Sequence, residues 1–210
     1  MQEAIALAGI IGALSVGVIS PGPSFVMVAR TAVATSRAHG VSAAFGMGAG
    51  GMLFAAVALL GLQAVFLAVP SIYLGLKVLG GLYLCYLGIR IFMSAKLPLA
   101  MDGEGRGSEV HVHRSFWLGF STQISNPKTA IVYASVFAAF LPPSFSSLFA
   151  AVLLCIVFVI ETGWYSVVAT LLSSPGPRRI YLNYKAWVDR TAGFVLFGLG
   201  LKLVTSAHDG

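Results

Sequence analysis

The chain has 210 residues, of which 58% are hydrophobic and 10% charged, with a mean hydropathy of +0.90. An ordinary soluble domain carries about 25% charged residues; this chain has too little polar surface to coat a water-facing globule, which excludes a soluble enzyme and points to one integral membrane domain with lipid as its solvent. The net charge of +6 does not signal nucleic acid, because the basic residues punctuate apolar stretches instead of forming a run with interleaved aromatics.

A helical crossing of the hydrocarbon core takes about 20 residues. The first predicted helix runs through the uncharged stretch 4–29; only the acid Glu3 precedes it, so it reads as a retained span and not a cleaved signal peptide. Ser20-Pro21-Gly22-Pro23 interrupts this helix, since two prolines remove two backbone donors. After Arg30, Arg37 and His39 a second helix is expected over about 41–67, and its first half carries Gly40, Ala44, Gly46, Gly48, Gly50 and Gly51. Such small residues let a neighbouring backbone approach closely and read as packing positions; they equally permit a homodimer.

The third helix, about 71–92, contains Lys77. The segment 94–114 mixes Lys96, Asp102, Glu104, Arg106 and Glu109 with glycines and reads as a flexible loop. The fourth helix, about 115–141, is interrupted at Asn126-Pro127-Lys128 and ended by Pro142-Pro143; the fifth, about 147–172, holds Glu161 near its centre as the one acid within the predicted helices. A basic connector with Pro175, Pro177, Arg178, Arg179, Lys185 and Arg190 leads to the sixth, about 192–204. Cys85 and Cys155 fall inside apolar runs, form no secreted-type disulfide pattern and read as buried thiols.

Cytoplasmic loops keep Lys and Arg. The connectors after the first, third and fifth helices hold Arg30, Arg37, Arg90, Lys96, Arg106, Arg114, Arg178, Arg179, Lys185 and Arg190, and those after the second and fourth hold none, which places both termini outside the cytoplasm, with Lys202 as the exception. Trp117, Trp187 and Tyr73 fall where interfacial anchors belong. The stretch Gly81 to Arg90 also aligns with Gly193 to Lys202, matching two glycines, two leucines and the final base, and Ile19-Ser20-Pro21 resembles Ile124-Ser125-Asn126. The expected fold is therefore all-α, six transmembrane helices in a single domain: one repeat at about 4–92, the cytoplasmic loop 94–114, and a second repeat at about 115–205, inverted because each crosses an odd number of times.

Broken backbone at membrane depth is tolerated where it is buried in protein or lines a water-filled cavity, and half-helix ends offer unpaired groups to a ligand. The two breaks stand at corresponding places in the two halves, so Pro21, Gly22, Pro23, Asn126 and Pro127 are candidate binding positions, with Ser20 and Ser125 flanking them. Lys128 and Glu161 are stronger candidates, because a bare charge at the bilayer centre costs about 3 kcal/mol on insertion scales. Phe158, Trp164 and Tyr165 flank Glu161 at helical spacing. The carboxylate is suited either to a substrate ammonium, with cation–π support, or to gaining and losing a proton; a purely structural Glu161–Lys pair is the competing reading. Lys77 is second-tier, since it reaches the interface by snorkelling. His111-Val-His113 near Glu109 lacks the further ligands of a metal site, and nothing requires a cofactor.

Together, Ser20-Pro21-Gly22-Pro23, the Gly-rich start of the second helix, Lys77 with Gly80-Gly81 and Tyr83-Leu84, Asn126-Pro127-Lys128, and an acid followed by Trp164-Tyr165 resemble the LysE/RhtB family of bacterial amino-acid exporters over essentially the full chain. The resemblance implies a six-helix, multi-pass inner-membrane protein that expels amino acids by proton antiport and is not an enzyme. Family substrates range from basic amino acids to homoserine, threonine and leucine. Its motifs map onto Pro21, Gly22, Pro23, Asn126, Pro127, Lys128 and Glu161; these, with Ser20, Trp164 and Tyr165, are the expected substrate contacts, and Glu161 is the expected proton-coupling residue. Glu161 stands where the family more readily has Asp, one methylene further from its backbone. The rival readings are a membrane thiol–disulfide carrier, which needs paired cysteines at the breaks, and a metal-ion exporter using His111 and His113.

Overall fold

A computed structural model describes residues 2–68, 70–97, 111–142 and 144–206, with side chains excepted at 62–68, 70–74, 76, 77, 203 and 206. Among the described residues the chain is all-helical, with eight α-helices: α1 (Gln2–Ile19), α2 (Pro23–Ala34), α3 (Arg37–Ala68), α4 (Pro70–Ser94), α5 (Val112–Ile124), α6 (Pro127–Phe140), α7 (Ser147–Leu172) and α8 (Pro175–Ser206). The segments Gln2–Ile19, Arg37–Gly61 and Ser147–Leu172 are long and apolar enough to cross a membrane, and Pro23–Ala34, Val78–Ser94 and Pro127–Phe140 are shorter apolar helices. Large apolar side chains face outward along them, among them Leu60, Leu148, Val159 and Phe194, as lipid contact requires and water would penalise.

The predicted first and fourth helices are broken where the prolines stand: α1 gives way to α2 across 20–22, and α5 to α6 across 125–126. Both second halves start with Pro at the first helical position, where its missing N–H costs nothing. The same rule explains a difference at the end of the chain. The basic stretch from Pro175 to Arg190 is no irregular connector, because Pro175 and Pro177 occupy the first turn, whose N–H groups have no intrahelical partner, and α8 then runs unbroken for 32 residues. Asp189 thereby joins Glu161 as a buried acid inside a helix, and Glu3 falls in the first turn of α1.

The buried apolar side chains form two clusters. One gathers Ile10, Leu14, Val132, Phe137, Leu153 and Leu196; the other, Phe25, Val28, Met47, Val168 and Leu172. The glycine face of α3 lets α5 and α7 approach to backbone contact: Gly46 meets the Phe116 carbonyl, Gly119 of α5 meets that of Ala43, and Gly48 meets Thr162 of α7. α4 and α8 cross in the same way through the two aligned segments. A methyl group at Gly81 would stand 2.8 Å from the Gly200 carbonyl oxygen, and one at Gly88 2.5 Å from that of Gly193. The first glycine of each segment thus meets the second glycine of the other.

Trp117 and Trp187 present their rings outward, 58% and 68% exposed. Cys155 is exposed, contrary to the buried reading, because its side of α7 faces away from the bundle; Cys85 is half-buried and contacts the Phe197 carbonyl, and both are free. Asp102, Glu104, Arg106, Glu109 and the side chains of Tyr73 and Lys77 lie outside the described residues.

Candidate functional site

The two breaks are satisfied in different ways. At the first, Gly22 is extended and offers no side-chain cap. The carbonyl oxygens left free at the end of α1 are met from the other break: Lys128 Nζ donates to Ser20 O at 2.8 Å and Gly17 O at 3.2 Å. An ammonium there also answers the negative end of the α1 dipole. At the second break Asn126 caps its own helix, its Oδ1 accepting from the Lys128 N–H at 3.0 Å. Its Nδ2 donates to Ser24 Oγ at 2.9 Å, and Ser24 donates in turn to Gln123 Oε1 at 2.8 Å. A buried polar chain therefore ties α2 to α5 and α6.

Glu161 faces this junction from α7 and is 2% exposed. Tyr133 Oη donates to its Oε1 at 2.9 Å, while Oε2 is buried and, among the described residues, makes no hydrogen bond of good geometry, although the Gln123 side chain interacts with the carboxylate. Gly51 of α3 makes the room: a methyl group there would stand 2.9 Å from Tyr133 Oη and 3.0 Å from Glu161 Cγ. Lys128 and Glu161 line one cavity, and among the described residues no ion pair joins them.

That cavity lies where the two apolar clusters meet. It is lined by Ser20, Gly22, Ser24, Asn126, Lys128, Thr129, Tyr133, Glu161 and Tyr165, with Leu14, Val18 and Val132 as apolar walls. It leaves about 20 Å³ for the centres of water molecules, enough for a water and far too little for an organic solute.

Of the residues singled out in the sequence, Ser20, Gly22, Asn126, Lys128, Glu161 and Tyr165 come together here. Pro21, Pro23 and Pro127 shape the breaks without lining the cavity. Trp164 packs into the apolar cluster around Phe25, and Phe158 turns toward Phe45 of α3, so of the three aromatics flanking Glu161 only Tyr165 reaches the site. His111 and His113 are exposed and stack on each other outside it. Ser24, Gln123, Thr129 and Tyr133 were not singled out. Gln123, Asn126, Thr129 and Tyr133 follow helical spacing on either side of the second break, a polar stripe in an apolar segment that carried the signal.

A bundle of apolar helices, two of them broken around an enclosed pair of opposite charges, defines a membrane transport protein more than an enzyme. The comparisons with known proteins narrow this: the chain matches the LysE type translocator family over residues 15–207 and belongs to it. It is similar to the threonine efflux protein of Escherichia coli (strain K12), 33% identical over 192 residues that cover 91% of this chain and 93% of the relative. The threonine efflux protein of Salmonella typhimurium is likewise 33% identical over 196 residues, with 91% and 93% covered. An uncharacterized membrane protein of Haemophilus influenzae is 30% identical over 192 residues, 90% of each chain. No solved structure matches the chain.

Proposed function

We propose that this protein exports a small zwitterionic amino acid, threonine or one of similar size, from the cytoplasm in exchange for protons. The observation that carries the reading is the half-bonded carboxylate of Glu161: Tyr133 holds one oxygen, and the other is buried without a good hydrogen bond among the described residues, in a cavity that Lys128 also lines. A zwitterion matches that arrangement. Its ammonium group would take Glu161 Oε2, and its carboxylate would lie by Lys128 and the N-terminal ends of α2 and α6, where helix dipoles favour a negative group. Protonation of Glu161 from the outside removes the partner of the substrate ammonium and discharges the site outward. Deprotonation on the inner side restores it, so proton and substrate share one carboxylate and inward proton flow drives outward substrate flow.

The cavity is too small for an amino acid as it stands, so loading requires the broken helices to part. The reading includes six crossings in two inverted repeats, α1 to α4 and α5 to α8, with both termini outside the cytoplasm of a bacterial inner membrane. The reciprocal glycine contacts of α4 and α8 support the inversion, because a twofold relation turns the Gly81–Gly200 contact into the Gly193–Gly88 one. The thiol-carrier alternative finds no support, as neither cysteine lines the cavity.

The test is uptake of a panel of labelled amino acids into proteoliposomes, with and without an imposed pH gradient. Wild-type protein accumulates one class of amino acid only with the gradient, and Glu161→Gln loses that accumulation. Undiminished gradient-driven transport by the variant overturns the role of Glu161; no transport of any amino acid by folded wild-type protein overturns the exporter.

A further inference from the structure

α8 carries a second buried polar group that the cavity chemistry leaves unused. Tyr181, Lys185 and Asp189 recur every fourth residue, so one stripe of the helix turns inward while Ile180, Tyr184 and Trp187 face out. Lys185 and Asp189 are 7% and 3% exposed. Lys185 Nζ donates to Asp189 Oδ2 at 2.7 Å and to the carbonyl of Ala95, just past the end of α4, at 3.1 Å. Among the described residues the other carboxylate oxygen, Oδ1, is buried with no hydrogen-bond partner, and so is the Tyr181 hydroxyl, whose ring stacks on Phe25 at 5.1 Å between centroids, in the first turn after the α1–α2 break. A pair that served only to fasten α8 to α4 gains nothing from a stranded oxygen, since an unpaired buried acceptor weakens the fold.

Its position narrows what the group is for. Tyr181 packs against the apolar cluster that holds Phe25 and Tyr165, and Tyr165 lines the cavity, so the stripe approaches the cavity through that cluster. Arg178, Arg179 and Arg190 on the same helix turn this end toward the cytoplasm in the orientation proposed above. In that orientation the Lys185–Asp189 pair lies nearer the cytoplasmic end of α8 than Gly193 and Gly200 do.

We propose that Asp189 is an inner ammonium-binding site for the amino acid, occupied from the cytoplasm before Glu161, and that Lys185 is a tethered cation which the substrate's own ammonium displaces. This rests on the exporter reading. The exchange replaces one primary ammonium by another on the same carboxylate, so the buried charge stays balanced throughout. Lys185 keeps the Ala95 carbonyl as a partner, and the substrate ammonium gains Oδ1 as well as Oδ2.

The two halves of the pair then have opposite effects, which a structural ion pair does not produce. The measurement is the KM for labelled threonine, or for whichever panel member wild-type protein carries, in inside-out and right-side-out vesicles. Asp189→Asn raises the KM at the cytoplasmic face about tenfold, the worth of a charged hydrogen bond, and leaves the outer-face KM within about twofold. Lys185→Met lowers the cytoplasmic KM about threefold, because the competing cation is gone. Shifts in the same direction, equal shifts at both faces, or no shift overturn the proposal. If Asp189→Asn fails to fold, Lys185→Met decides alone: a lowered cytoplasmic KM supports the site and an unchanged or raised one refutes it. Normal wild-type export with unaltered sided KM values refutes the inner site only, whereas absence of wild-type export removes the reading beneath it.

Discussion

The two helix breaks occupy matching places in the two halves of the chain and are built on opposite principles. The second is self-contained: Asn126 caps α6 with its own side chain, and Pro127 opens the helix. The first has no cap of its own and takes its partner from the second, through Lys128. One break is thus a finished element, and the other is held by a charge from across the bundle. The first is consequently the one that can be released, by whatever draws Lys128 away, and a substrate carboxylate is such a group.

Removing the borrowed partner breaks this contrast most severely. Lys128→Met strands the Gly17 and Ser20 carbonyls, which costs about 2 kcal/mol of stability, and takes transport to background; unfolding in detergent and uptake in proteoliposomes measure the two. Loss of the self-made cap is milder. Asn126→Ala removes the bond to the Lys128 N–H and the link to Ser24, a cost of about 1 kcal/mol, with transport reduced but measurable in the same assays. Gly22→Ala sharpens the comparison further. Its extended backbone accepts any residue, and the added methyl would stand 3.3 Å from Lys128 Cδ, so stability changes by less than about 0.5 kcal/mol while transport falls as Lys128 is crowded. The smallest effect belongs to Cys85→Ala with Cys155→Ala, which leaves uptake within about twofold of wild type, since neither thiol is in the cavity.

The breaks were legible in the sequence because proline acts locally: Pro21, Pro23 and Pro127 lack the N–H a continuous helix uses, whatever surrounds them. Lys128 and Glu161 were legible because charge within an apolar run is costly wherever the run packs. Tyr133, Ser24 and Gln123 were hidden for the converse reason, that their importance lies in partners on other helices, and an isolated Tyr or Ser in a membrane helix is ordinary. The start of α8 was misread through composition: prolines and arginines look like a connector, yet first-turn prolines permit a helix. With that stretch unrecognised as a helix, the four-residue recurrence of Tyr181, Lys185 and Asp189 went unseen. Trp164 shows the limit of spacing arguments, since three residues from Glu161 still leaves it on the flank that packs away from the cavity.

The paired glycine contacts of α4 and α8 also decide what can move. Gly81 on Gly200 and Gly88 on Gly193 are two points of backbone contact seven residues apart, about 10 Å along the helices. Two such points fix a line, and helices seated on both cannot scissor about either one. α4 and α8 come from different halves of the chain, so the one rigid rotation these contacts leave between the halves is a turn about the seam itself. The helices on either side of each break, and the stretch of α8 before Gly193, lie outside the two contacts and are not held by the seam.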